Sequence, residues 1–366
     1  MKLLASHYRT ARKVAVDRRE KALRSNGTIP APLICGPGFF DLQCNGFAGV
    51  DFNHPETTPD RLATALSALP RTGVTQVLPT IITADPERLE TLLRNLVAAR
   101  ALDPQVARAV PGFHLEGPWI SPHDGARGAH PRAHVLPLDR ALWRRLQRAA
   151  GGLIRLVTLA PEVRGAIPFI RQLRAEGVLP AIGHTLATAA QISAAADAGA
   201  LLSTHLGNGC PQMLHRHHNP IYPQLADDRL TVSLIADGVH LPSEVLRAFS
   251  RAKGITRTVL VTDAMAAAGA PPGRFTLGDL TLEVGRDRIV RQPGEQQFAG
   301  SALTMDAAVE TLVRATGAPL ADAWDAAARN PRRLFALATR QQFPAQAAGT
   351  VVARWDPQKE KLSVVL

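Results

Sequence analysis

Two hydrophobic periods alternate along most of the chain. Helical spacing runs through PDRLATALSALPRTG, and the short apolar run VTQVLPTII follows it. PERLETLLRNLVAARAL is helical again and gives way to VARAVPGFHLEG, read as a strand. The exchange recurs in LDRALWRRLQRAAG and IRLVTLAPE, in GAIPFIRQLRAEG and VLPAIGHT, and in TAAQISAAADAG and ALLSTHLGNG. TVSLIADGVHL, SEVLRAFSRAKG and RTVLVTDAM complete the series. Striped helices between short apolar strands mark repeated β–α units, whose strands lie parallel beneath a cover of helices. Seven or eight such units favour a closed (β/α)8 barrel of the TIM type over an open sheet.

After Met265 the period changes. GRFTLGDLTLEVGRDRIV alternates in the β manner, LTMDAAVETLVRATG and PLADAWDAAARNPRRLFAL return to helix, and GTVVARWDPQKEKLSVVL reads as a hairpin. The resulting division is a barrel over 37–273 and 299–345, with a small β subdomain built from residues 1–36, a meander over 274–298 and strands over 346–366.

Composition narrows the classes. The chain is 46% hydrophobic and 20% charged, which suits a packed soluble fold and excludes disorder. A formal net charge of +11 raises the expectation of an anionic partner. The arginines are spread along the whole chain, however, without a stripe interleaved with aromatics, so no nucleic acid is expected. Three cysteines, Cys35, Cys44 and Cys210, are too few for a disulfide framework. No apolar run has the length of a membrane span or of a secretory leader, and a cytoplasmic protein is expected.

The candidate chemistry lies at strand ends. The run AVPGF leads to His114 and Glu116, then Gly117-Pro118 stops the strand and a polar loop with His123, Asp124, Arg127 and His130 follows. His184 lies in AIGHT, His205 ends LLSTH, and Asp263 ends LVTD. A closed barrel brings such ends into one cavity. Two imidazoles and a carboxylate suit a divalent cation with an open position, and an unligated Asp beside them can move a proton. That pattern predicts metal-assisted hydrolysis.

The motifs PGFFDLQCNG, GFHLEGPWISPHDGARGAHP, IGHT, STHLGNG, IADGVHL, LVTDAMAAAG, FAGSALTMDAAV and NPRRLF occur in this order between residue 37 and about residue 335. In that combination the chain resembles the N-acetylglucosamine-6-phosphate deacetylases of the amidohydrolase superfamily. The resemblance implies a (β/α)8 barrel with a small β sandwich from both chain ends, and release of acetate from an amino sugar phosphate. It implies Glu116, His184 and His205 as ligands of one divalent metal, zinc in the first place and iron as the alternative. Asp263 becomes the general base and acid, and His130 contacts the sugar. Asn208 and Gly209 lie near the phosphate, and His240 polarises the acetyl carbonyl or binds substrate. It further implies a homodimer in which a basic residue, here Arg216, reaches the phosphate from the neighbouring subunit.

The chain departs from common patterns in two places. Gln43 and Asn45 stand where many amidohydrolases carry His-x-His, and neither amide is a good ligand for a borderline transition metal, so a single-metal site is expected. The stretch GNGCPQMLHRHHNPIYPQLADD also differs from the family's usual loop, which bears on the exact substrate. Two other readings stay open on the residues alone. One is hydrolysis of a different N-acyl or cyclic amide; the other is a catalytically silent barrel with a binding role.

Overall fold

The structure is a computed structural model that describes residues 2–17, 33–293, 300–341 and 349–365. Eight parallel strands form one sheet: Phe39–Cys44, Val74–Ile82, Phe113–Glu116, Ile154–Leu159, Leu179–Ile182, Leu202–Ser203, Thr231–Ile235 and Thr258–Val261. Each strand pairs with its sequence neighbours, so the sheet order follows the chain. The first and eighth strands then meet at a seam. Asp263 N donates to Gln43 O at 3.0 Å, and Asn45 N donates to Ala264 O at 2.7 Å. The sheet is a nearly closed TIM-type barrel.

Local sequence explains the helices around it. Thr58, Asp85, Asp139 and Thr188 accept backbone N–H groups at helix starts, as short oxygen-bearing side chains do at N-caps. In the helix Pro59–Ala68, Leu62, Ala65 and Leu66 are buried at helical spacing. One expectation is corrected by this chemistry. VARAV does not extend the third strand, because Asp103 caps a short helix, Pro104–Ala109, with proline at its first position. The strand is only Phe113–Glu116.

The chain ends form a second sheet. Lys2–His7 pairs antiparallel with Lys13–Asp17 and parallel with Leu33–Pro37. Thr350–Asp356 joins Leu33–Pro37 on one side and Lys361–Val364 on the other. This sheet is fastened to the barrel through the helix Leu320–Ala327. Trp324 stacks on Tyr8 at 5.4 Å, meets Phe39 edge-on at 5.0 Å and donates from Nε1 to Pro37 O at 2.9 Å. The boundaries expected at 298/299 and 345/346, and part of the 1–36 segment, fall outside the described residues.

The meander does not join that sheet. Gly273–Leu277, Leu280–Val284 and Val290–Arg291 pair only with one another among the described residues. Leu277, Leu282, Val284 and Val290 pack with Met265, Ala266, Ala267 and Ala302 at the barrel mouth. The apolar side of the meander is covered by the segment that precedes it in the chain, and its turn is held there by two polar contacts. Gly278 N donates to Asp51 Oδ2 at 2.8 Å, and Arg88 Nη1 grips both oxygens of Asp279 at 2.8 Å.

Gly36 marks how closely the terminal sheet approaches the barrel helix. A Cβ there would lie 2.7 Å from Trp324 Nε1 and 2.8 Å from Tyr8 Cδ1. Gly36→Ala should therefore lower stability by about 1–3 kcal/mol through overpacking. Urea unfolding measures it: a lower midpoint with an unchanged slope is expected. An unchanged midpoint would show that this contact does not couple the sheet to the barrel.

Candidate active site

Side chains alternate along a strand, so His114 and Glu116 both point into the barrel while Phe113 and Leu115 face the helices. Beyond Glu116 the chain turns at Gly117, whose φ is +83°. A Cβ at Gly117 would fall 2.1 Å from Thr83 Oγ1, so only glycine lets the second-strand loop close in at this point. His184, His205 and Asp263 each lie two residues beyond a strand end and share one unusual feature. Their φ angles are +51°, +27° and +49°, a region non-glycine residues seldom occupy. Such strain concentrates where surrounding structure holds a side chain for function. Here it turns each side chain from the strand direction toward the barrel axis.

Three imidazoles gather around one carboxylate. Glu116 Oε1 is 2.9 Å from His205 Nε2 and 3.4 Å from His184 Nε2, and Oε2 is 3.9 Å from His130 Nε2. His130 and His184 face each other through their Nε2 atoms at 3.2 Å. All four residues are buried. The donor atoms of Glu116, His130 and His184 lie within 4.8 Å of one another.

The far sides of these rings identify the near sides. His184 Nδ1 donates to Ala126 O at 2.9 Å, and His130 Nδ1 meets Thr83 Oγ1 at 2.8 Å. A neutral His184 thus presents its Nε2 lone pair to the cluster, the arrangement in which an outer hydrogen bond fixes a ligating imidazole. His205 Nδ1 is buried without a hydrogen-bond partner. Imidazole lone pairs converging on a buried carboxylate, with no lysine or arginine among them, fit a divalent cation.

Within the protein alone, a proton supplies the positive charge. Burial would raise the Glu116 pKa, but the adjacent imidazoles of His184 and His205 outweigh it and hold the group well below the usual carboxylate range. Burial disfavours a charged His205, yet the bond to Glu116 lifts it to about 9. His130, desolvated and beside His184, is pushed down to about 3 and stays neutral. His114, one layer deeper, is pushed by burial to about 4 and is tied to Thr158 Oγ1 at 2.8 Å.

Asp263 stands across the barrel seam. Asn45 Nδ2 donates to its Oδ1 at 2.7 Å and Gln43 Nε2 at 3.0 Å, and the same Gln43 amide reaches Glu116 Oε1 at 2.9 Å. The two amides at the His-x-His places therefore hold carboxylates. Burial raises the Asp263 pKa, His205 opposes the rise, and Glu116 adds to it. A carboxyl so placed is suited to take up and release a proton.

The site opens into a cavity of about 850 Å³ lined by Asn45, Glu116, His130, His184, His205, Asn208, His240 and Asp263, among others. His240 is oriented by Asp237, whose Oδ2 is 2.6 Å from its Nδ1. The sequence reading had not singled out Asp237, although its i, i+3 spacing within IADGVHL was a visible signal. Thr83 was also missed, and nothing local marks it. Gly209 lies behind His184, its O accepting from Thr185 N at 3.2 Å. Arg216 is exposed and does not line the cavity, and neighbouring His215, His217 and His218 are exposed as well. His123 and Asp124 are on the surface, and Asp124 pairs with Arg127.

No family model matches the chain. Individual relatives do. The N-acetylglucosamine-6-phosphate deacetylase of Bos taurus is 37% identical over 322 residues, covering 84% of this chain and 76% of the relative. The N-acetylgalactosamine-6-phosphate deacetylase of Escherichia coli O157:H7 is 37% identical over 308 residues, covering 84% and 79%. Among solved structures, the N-acetyl-D-glucosamine-6-phosphate deacetylase of Mycobacterium smegmatis superposes with a TM-score of 0.80 at 32% identity, covering 99% of this chain and 92% of that one. The 5-methylcytosine deaminase of Klebsiella pneumoniae shares the fold at 12% identity and a TM-score of 0.53. With such identity over most of its length, the chain belongs to the N-acetylglucosamine-6-phosphate deacetylase family of the amidohydrolase superfamily.

Proposed function

We propose that this protein hydrolyses the acetamide of an N-acetyl amino sugar 6-phosphate, N-acetylglucosamine 6-phosphate in the first place, to acetate and the free amino sugar phosphate. The observation that carries this reading is Asp263, fixed by Gln43 and Asn45 beside the Glu116 cluster at the cavity floor. Glu116, His184 and His205 would hold one divalent cation, zinc or iron, which when bound supplies Lewis-acid polarisation of the amide carbonyl and acidifies a water. His205 is preferred to His130 as the second imidazole because it is 2.9 Å from the carboxylate, against 3.9 Å for His130. It also follows directly from a barrel strand, whereas His130 sits on a loop.

The chain's own residues then divide the work. Asp263 takes the proton of the attacking water and delivers it to the amine nitrogen as the C–N bond breaks. Gln43 keeps Asp263 and Glu116 at fixed separation. His130, neutral at physiological pH, and His240, oriented by Asp237, line the cavity where the acetamide and sugar must lie. Asn208 and the Gly209 backbone are assigned to the phosphate side. Arg216, exposed in one chain, suits a contact with the phosphate of a neighbouring subunit in a homodimer.

The direct test is acetate release from N-acetylglucosamine 6-phosphate and N-acetylgalactosamine 6-phosphate, with metal content measured on the same sample. Asp263→Asn should keep its metal and lose about 10²–10⁴ in kcat; full activity would remove Asp263 from its role. His205→Asn should fall well below one metal per chain, while His130→Asn should keep its metal and lose turnover. The reverse pattern, read by elemental analysis, would exchange the two assignments.

A further inference from the structure

A second cavity, of about 420 Å³, lies beside the catalytic one beneath the turn of the meander. The two share a wall made of Ile82, Gly128, Ala129, His130 and Leu277. Ile82 and Ala129 pack on the apolar cluster that contains Leu277; Ile82, Gly128 and Ala129 are partly exposed, whereas Leu277 and His130 are buried. Behind it the chamber is lined by further apolar side chains, including Ala84, Leu92 and Leu280. A volume of this size falls within the range of small-molecule pockets and far exceeds what one methyl group fills.

Charge decides what the chamber can accept. Arg88 and Arg127 line it, and unpaired they would attract an anion. Both are already neutralised: Arg88 grips the two oxygens of Asp279 at 2.8 Å, and Arg127 bonds Asp124 at 2.8 Å and the His130 carbonyl. The chamber therefore suits an uncharged group. Its position adds the direction. Ile82 ends the second barrel strand, whereas Asn208 follows the sixth, four strands away in an eight-stranded barrel. On the assignment of Asn208 to the phosphate given above, and with the reacting carbonyl at Glu116, the acyl substituent would point to the shared wall.

From this we infer that the enzyme accepts N-acyl amino sugar phosphates whose acyl chain is longer than acetyl, the extra carbons passing between Ile82 and Leu277 into the side chamber. The inference rests on the deacetylase reading given above. The reaction is unchanged: water adds oxygen to the acyl carbon, the C–N bond breaks, and a carboxylate and an amine leave.

The test compares glucosamine 6-phosphate carrying N-acetyl, N-butyryl or N-hexanoyl groups, with release of the amine as readout. KM should fall with chain length, by at most about fourfold for each methylene buried. Leu280→Trp, which fills the chamber without touching the catalytic cavity, should remove turnover of the N-hexanoyl compound and leave N-acetyl turnover unchanged. Ala84→Leu, a smaller change at another lining residue, should give the same selectivity, and the retained N-acetyl rate reports that either variant is folded. Turnover of the N-acetyl compound with kcat/KM for N-butyryl more than about a hundredfold lower, the loss expected when a pocket has no room for added methylenes, would overturn the inference alone. Equal effects of both variants on all three substrates would also overturn it. No turnover of any compound, N-acetyl included, would overturn the deacetylase reading and the chamber's assignment with it.

Discussion

Closure of the barrel is the constraint on which the site depends. Beside the backbone bonds of the seam stands one buried carboxylate, Asp41, which accepts from Thr262 Oγ1 at 2.5 Å, from Thr262 N at 3.2 Å and from Gln43 N at 3.1 Å. Burial raises its pKa to about 7, against the pull of those three bonds. Such a group is costly unless its bonds are complete. The same seam sets Gln43 and Asn45 opposite Asp263, so the contact that closes the sheet also assembles the Asp263 end of the cavity. Fold and chemistry share residues here.

The second cost is Glu116. A carboxylate buried in a protein interior must be paired or neutralised. Three imidazoles stand around it, one of them held neutral by desolvation and one raised by the carboxylate itself. The positive φ angles of His184, His205 and Asp263 are a further local strain, sustained by flanking strands whose apolar faces form the continuous main core. A rigid apolar barrel can hold such a polar, strained centre because packing elsewhere leaves it no alternative arrangement.

The meander lies beside this centre. It is anchored by Arg88 and Asp51 and lies against Met265 to Ala267, shortly after Asp263. A β segment that roofs the mouth rather than joining the terminal sheet can shape what enters beside the reacting carbonyl. No described helix is long and apolar enough to cross a membrane.

Sequence alone determined the alternation of helices and strands, because periods of 3.6 and 2 are set by local geometry. It also brought out Glu116, His184, His205 and Asp263, since polar residues ending apolar runs are visible without coordinates. Some choices were not local. VARAV reads as a strand until Asp103 and Pro104 are weighed as a helix start, and the meander's partner depends on which apolar surface lies nearest in space. The contact of Thr83 with His130 joins residues 47 positions apart, and that of Gln43 with Asp263 joins residues 220 apart. Only tertiary structure makes such pairs, because hydrogen bonds between strand ends exist once the barrel has closed and have no counterpart in the order of residues along the chain. The same reason separates a list of four polar strand ends from a cavity with a second chamber beside it.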